Sequence, residues 1–220
     1  MAERPVLHGY WRSTAAYRVR MALNLKGIDW ENRPVDLVAG GGQQHSAAYR
    51  GLNPTRLVPT LEIDGLALGQ SLAICEYLDE TRPGPSLLPD LAADRAWVRA
   101  LAQDVACDIH PINNLRVQQY LKGPLGQDDE AAQAWMDHWM RAGFDGIEIK
   151  LSQRERPGPF CLGNVPGLAD ICLVGQVYNA RRFGTDLGPY PLIREIDAAC
   201  RALPAIADAA PERQPDAPAS

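Results

Sequence analysis

Three short stretches of the chain hold residue types suited to binding an anion. The first is Trp11-Arg12-Ser13-Thr14, where a strand-like run gives way to a helical one. A hydroxyl at a helix start is most often a plain N-cap. The free amides of a helix start also stabilise a thiolate or a carboxylate. Spacing alone favours the cap and leaves anion binding as the second reading. The second stretch is Leu57-Val58-Pro59-Thr60. A proline entering a strand can simply sit at a sheet edge; in a fold of the thioredoxin type such a proline is commonly cis, and the residue before it offers its backbone to an extended peptide. The third is Gln70-Ser71, another helix start, with Ser71 a good N-cap.

Other chemistries lack their residues. There is no GxGxxG after a strand, no GK[ST] phosphate loop, no GxSxG elbow and no HExxH. Cys107-x-x-His110 has the spacing of half a zinc site, but no second pair stands at a zinc-finger distance, so a packed helix face is expected and no metal. Gly40-Gly41-Gly42 reads as a mobile loop, and His8, His45 and His138 as structural or solvated.

The elements that must position these residues can be read from patterning. Pro5 to Tyr10 predicts a buried strand and Ser13 to Lys26 a helix, with Val19, Ala22, Leu23 and Lys26 on one stripe and Gly27 as its left-handed stop. Trp30 to Leu37 predicts a strand, and Ser46 to Gly51 a short helix. Thr60 to Ile63 and Leu66 to Leu68 flank Asp64-Gly65, a two-residue hairpin signal. A helix from Ser71 completes the order β-α-β-α-β-β-α, that of a thioredoxin-like domain. Arg82-Pro83-Gly84-Pro85 breaks the pattern. Beyond it the texture is helical: one long helix over 96–121 kinked at Pro111, a second through Trp135 and Trp139 to about Leu151, then Leu168 to Phe183, Pro191 to Cys200, and a short helix from Pro204 before a frayed end. The expected fold is an α/β thioredoxin-like domain over 1–83 followed by an all-α domain over 90–210.

Twenty-two basic against 27 acidic residues leave a net charge of −5, which argues against a nucleic-acid surface. No apolar run reaches the roughly 18 residues of a membrane span, and the N-terminus lacks an apolar signal core. Five scattered cysteines suggest free thiols in a reducing compartment. A cytosolic globular protein is expected, with no nucleic-acid or membrane partner.

Here a family becomes visible. Ser13-Thr14-Ala15-Ala16-Tyr17-Arg18-Val19-Arg20 resembles the Ser-Ser-Cys-x-Trp-Arg-Val-Arg signature of the zeta-class glutathione transferases, a family that includes maleylacetoacetate and maleylpyruvate isomerases. Leu52-Asn53-Pro54, Val58-Pro59-Thr60-Leu61, Gln70-Ser71-Leu72-Ala73-Ile74, Asp108-Ile109-His110-Pro111-Ile112-Asn113-Asn114, Leu168-Ala169-Asp170, Asn179-Ala180-Arg181-Arg182-Phe183 and Arg213-Gln214-Pro215-Asp216 are similar to later family blocks, in order. Ala15 and Thr14 depart from the signature, and Gly167 stands where the family's capping box begins with Ser or Thr.

The resemblance implies glutathione as cofactor, held by Ser13, Gln44, Val58, Gln70, Ser71 and Asn114, and cis–trans isomerisation of a maleyl dicarboxylate. Ser13, with Arg12 and Thr14, is the implied catalytic set; Arg12, Arg116 and Arg182 are the implied substrate-binding cations. A thiol of pKa about 8.5 is about 3% thiolate at pH 7, and lowering it by about 2 units is worth about 2.7 kcal/mol. One charge-assisted bond from Ser13 (about 1.5–3 kcal/mol) plus the helix start (about 0.3–1) suffices. Phase along Leu168, Ile171, Cys172, Gly175, Tyr178 and Arg182 puts Arg182 on a buried stripe and turns Arg181 to solvent. A homodimer is expected from the resemblance and from the apolar hairpin face at Leu66 and Leu68. The alternative is a general glutathione S-transferase that conjugates or dehalogenates small electrophiles. A thiol-disulfide oxidoreductase lacks its Cys-x-x-Cys, and a non-catalytic glutathione-binding module is the remaining reading.

Overall fold

The computed structural model describes residues 4–155 and 157–218; residues 1–3, where the expected first domain begins, lie outside them. Their contacts fall into two compact units, one of residues up to Leu87 together with those from Ala202 on, the other Leu88–Arg201.

The first unit is a four-stranded sheet with helices, in the order expected. β1 (Val6–Gly9) pairs in parallel with β2 (Glu31–Pro34) and antiparallel with β3 (Thr60–Ile63), which pairs with β4 (Leu66–Gly69), giving β2-β1-β3-β4. Asp64 and Gly65 both take positive φ, 52° and 75°, as a two-residue hairpin of this twist requires. α1 (Thr14–Leu25) connects the parallel pair, α2 (Ala47–Leu52) precedes β3 and α3 (Ser71–Thr81) follows β4. At the end of α1, Gly27 takes φ 64° and the Ile28 amide donates to Leu23 O, so the left-handed stop is present. α1 is buried from Thr14 to Leu23, not along one stripe. Arg18 and Arg20 go inside with it.

The second unit is helical: α4 (Ala92–Gln103), α5 (Leu115–Lys122), α6 (Asp129–Ser152), α7 (Leu168–Arg182) and α8 (Pro191–Arg201). Met136, Met140, Phe144, Val177, Ile193 and Ile196 are among its core. The single kinked helix expected over 96–121 is instead broken. Pro111 lacks an amide hydrogen and its ring crowds the carbonyl four residues back. The chain widens into a π turn over Asp104–Ile109, closed by His110 N donating to Val105 O at 2.9 Å, then tightens into a 3-10 turn over Pro111–Asn113. A new helix starts at Asn114, whose Oδ1 accepts from Arg116 N. Cys107 is exposed on the π turn, so the packed face expected for Cys107-x-x-His110 is not formed there. Among the described residues no cluster suits a metal ion.

α7 begins at Gly167. Gly167 has no hydroxyl to cap the helix, but Asp170 keeps the other half of the capping box: its Oδ2 accepts from Gly167 N at 2.8 Å, and its Oδ1 accepts from Cys161 N at 2.7 Å. Burial pushes this carboxyl up from the usual carboxylate range, against the pull of those two amides.

Residues up to 210 had been assigned to the helical domain, yet from Ala202 the chain packs on the first unit. α9 (Pro204–Asp208) is held by Asn24 Nδ2 donating to Ala205 O. The expected frayed end is instead fastened through Asp216, whose Oδ2 accepts from Trp11 N at 2.8 Å.

Candidate glutathione and carboxylate sites

Register brings the anion-suited stretches of the first unit to one end of its sheet. His8, next to the end of β1, pairs with Thr60 at the start of β3, and Thr60 pairs with Gly69 at the end of β4. The turn after β1, the Val58–Pro59 peptide before β3 and Gln70-Ser71 after β4 therefore leave the sheet together. The Val58–Pro59 peptide is cis.

The first turn is Tyr10-Trp11-Arg12-Ser13, closed by Ser13 N donating to Tyr10 O at 2.9 Å. Ser13 is the N-cap of α1, and its Oγ accepts from Ala16 N at 3.2 Å. Cap and anion ligand are compatible roles: an oxygen that accepts from the helix keeps its own hydrogen to donate. Thr14 is the first helical residue and is buried. The Arg12 guanidinium lies 5.7 Å from the Tyr10 ring centre and 5.5 Å from that of Trp11. Asp36 is held below the usual carboxylate range chiefly by the Ala39 and Val38 amides, with Arg12 adding to the same effect.

At the third stretch the N-cap of α3 is Gln70, not Ser71. β4 runs on through Gly69, so the reversal falls on Gln70, which takes φ 65° and ψ 110°. A non-glycine residue held there costs on the order of 1–3 kcal/mol, and such strain concentrates at functional sites. Ser71 becomes the first helical residue; its hydroxyl accepts from Arg18 Nη1 at 3.1 Å.

Gln44 joins this end through the loop after β2, where Gln43 N donates to Asp36 O at 2.7 Å. Gln44 is buried and folds back over Gly42, where any Cβ would stand 2.4 Å from its amide. The glycine triplet expected as a mobile loop forms two short 3-10 turns, over Ala39–Gly41 and Gln43–His45. Within these residues Arg18 Nε, Arg18 Nη2 and Gln44 Oε1 are buried with no hydrogen-bond partner from the protein. Buried polar groups are normally satisfied. The two open donors of Arg18, beside the Ser71 hydroxyl, suit a carboxylate, and the open acceptor of Gln44 suits a peptide N–H; glutathione carries both kinds of group.

Of the remaining candidates, Asn114 caps α5 and Arg116 is exposed on its first turn. Arg182 ends α7. It is exposed, not on a buried stripe, because α7 is enclosed on nearly every side up to Ala180 and emerges only with its last two residues. Its guanidinium stacks over the Phe183 ring at 4.4 Å. Arg181 is exposed, as expected, and pairs with Asp197, which is fully buried. The start of α6 links these segments: Trp135 Nε1 donates to Ile112 O at 2.9 Å, and Gln133 Nε2 to Phe183 O. Sequence reasoning gave no role to Arg18. Two arginines, Arg18 and Arg20, amid a mostly apolar α1 were the available signal.

The chain is similar to known proteins over nearly its whole length. Residues 7–86 match the family model described as glutathione S-transferase, N-terminal domain. A probable maleylacetoacetate isomerase of Vibrio cholerae is 56% identical over 213 residues, 96% of this chain and 98% of that protein. The holo structure of a maleylpyruvate isomerase, a bacterial zeta-class glutathione transferase, superposes with TM-score 0.94 at 47% identity, covering 97% of this chain and 100% of the other. A maleylacetoacetate isomerase of Methylobacterium extorquens AM1 with bound malonate and glutathione superposes with TM-score 0.93 at 43% identity, covering 97% and 100%.

Proposed function

Since the chain belongs to the glutathione S-transferase family, in its zeta class, we propose that it is a glutathione-dependent cis–trans isomerase that converts maleylacetoacetate or maleylpyruvate to the fumaryl isomer. The observation that carries this is the 56% identity with an isomerase over nearly the whole of both chains. When bound, glutathione supplies a thiolate nucleophile that is returned unchanged.

The residues of this chain take the following parts. Ser13 donates its hydroxyl hydrogen to the sulfur while its oxygen stays committed to Ala16 N, and the start of α1 adds its amide field. Val58 pairs its backbone with the peptide. Gln70 and Ser71 hold the γ-glutamyl carboxylate, Ser71 being turned to donate because Arg18 occupies its acceptor side. Gln44 Oε1 accepts from the tripeptide, and Asn114 adds a further polar contact. Arg12 stabilises the enolate-like charge that develops on the substrate. Arg116 and Arg182 bind substrate carboxylates, as planar guanidinium groups do. Thr14 supports the turn as the first helical residue.

We place this activity in the breakdown of aromatic compounds, in the cytoplasm, and in a homodimer. Five free thiols support a reducing compartment, no described helix is long and apolar enough to cross a membrane, and the half-exposed Leu66 on the β3–β4 hairpin supports the dimer. An ultraviolet assay with maleylpyruvate and maleylacetoacetate tests the function. Loss of the maleyl absorbance with appearance of the fumaryl product is expected, and net loss of glutathione would point to a conjugating transferase instead.

A further inference from the structure

The turn that carries Arg12 and Ser13 is gripped from two sides at Trp11, by groups far away in sequence. Trp11 N donates to Asp216 Oδ2 at 2.8 Å, across 205 positions. Trp11 O accepts from Arg20 Nη2 at 3.0 Å. Both peptide planes flanking the turn's first central residue are thereby fixed by side chains, which no sheet or helix bond does there. Each gripping group is itself held. The other carboxylate oxygen of Asp216 accepts from Asn32 Nδ2 at 3.1 Å. Arg20, 2% exposed, spends its Nε on Ala209 O at 2.9 Å. Gln214 steadies the tail, its Nε2 donating to Ala210 O at 2.9 Å and Asp208 O at 3.2 Å.

The result is a closed loop of bonds running Trp11, Arg20, Ala209, the tail, Asp216 and back to Trp11. We infer that Asp216 and Arg20 are positioning residues: they clamp the Tyr10–Ser13 turn so that Ser13 and Arg12 stand preorganised for a thiolate. An untethered turn would have to be ordered when the ligand binds, at the cost of affinity and of thiolate stabilisation. A carboxylate on a backbone amide is a charge-assisted bond, about twice as strong as a neutral one, which suits a clamp carried on a terminal segment that otherwise frays.

The inference rests on the proposed glutathione site, but the clamp itself can be measured without glutathione. Amide hydrogen exchange over residues 10–16 should accelerate at least about tenfold in Asp216→Ala, with exchange in α7 unchanged. In the presence of saturating glutathione at pH 7, the thiolate absorbance of Asp216→Ala should fall by about half and its Kd for glutathione rise about tenfold. Asp216→Asn, which keeps an acceptor for Trp11 N but loses the charge and the second oxygen, should show clearly smaller losses than Asp216→Ala in both, about threefold in Kd. Arg213→Ala breaks only the exposed pair with Asp208 and should change neither.

Unchanged exchange in Asp216→Ala overturns the clamp. Faster exchange with an unaltered thiolate signal reduces it to a structural tether and overturns the positioning role. Equal losses in the Asn and Ala variants would assign the effect to charge and overturn it as well. If Asp216→Ala does not fold, Asn32→Ala carries the same test with a smaller expected shift. A parent protein that binds no glutathione would sink the proposed site and leave the exchange result standing.

Discussion

Arg181 Nη2 lies 2.6 Å from Asp197 Oδ2, and that carboxylate is fully buried between α7 and α8. Arg201 Nε approaches the same oxygen at 3.2 Å from one turn further along α8. Two arginines thus share one buried acid, tying the end of α7 to α8. Adjacent residues on α7 differ in what they touch: both are exposed, but Arg181 ties α7 to α8 through Asp197, while Arg182 stacks on Phe183.

Arg182→Ala is therefore expected to raise KM for the dicarboxylate ten- to a hundredfold, about 1.4–3 kcal/mol, with stability preserved. Arg181→Ala should leave KM nearly unchanged and lower stability by about 1–2 kcal/mol, a buried-acid effect discounted for the arginine's exposure. Steady-state kinetics and urea unfolding of both variants check this. A KM defect confined to Arg181→Ala would reverse the assignment.

Asp170 supplies the half of the α7 capping box that Gly167 leaves in place, accepting from the Gly167 and Cys161 amides. Removing it leaves the Cys161 and Gly167 amides unpaired, each costing about 1–3 kcal/mol. Asp170→Ala should destabilise the protein by about 2–5 kcal/mol, and Asp170→Asn by roughly half as much, since one carbonyl oxygen can serve only one of the two amides well. Urea unfolding monitored by tryptophan fluorescence gives the values. Equal stability of all three proteins would remove the capping role.

Ser13→Ala should lose thiolate absorbance from bound glutathione at neutral pH, corresponding to a rise of about one to two units in the thiol pKa. The same change removes the acceptor for Ala16 N, costing about 1 kcal/mol of stability as an ordinary N-cap does. Ser13→Thr keeps both functions and is expected to retain most of the signal. An unaltered thiolate titration in Ser13→Ala would transfer the role to Thr14 or to backbone amides.

Local chemistry was legible in the chain, and long-range closure was not. The Asp64-Gly65 hairpin, the Gly27 stop and the Ser13 cap follow from residues within a few positions of one another, and each is where its chemistry requires. Pro111 marked the right place for a disruption, but whether a proline bends or breaks a helix depends on what the neighbouring turns can absorb. Here a π turn and a 3-10 turn absorb it. Phase along α7 could not rank Arg181 against Arg182 because nearly the whole helix is buried, so a stripe carries no contrast. The candidate site residues Ser13, Val58 and Ser71 were visible as helix and strand starts. The contacts of Arg18 with Ser71 and of Asp216 with Trp11 were not, since each joins residues far apart in sequence.

Light scattering at micromolar concentration should give about twice the 24.1 kDa of one chain. Leu66→Glu on the exposed hairpin should shift the protein toward monomer. A mass of 24.1 kDa for the unaltered protein would reject the dimer.

In an isomerisation glutathione is used and returned at every turnover, and its thiol can be counted. The maleyl substrate is supplied in about hundredfold excess over glutathione, and product and free thiol are followed together. Many turnovers per glutathione at a constant thiol titre are expected. Product formation that stops at one equivalent, with the thiol consumed, would contradict isomerisation and make the chain a conjugating transferase.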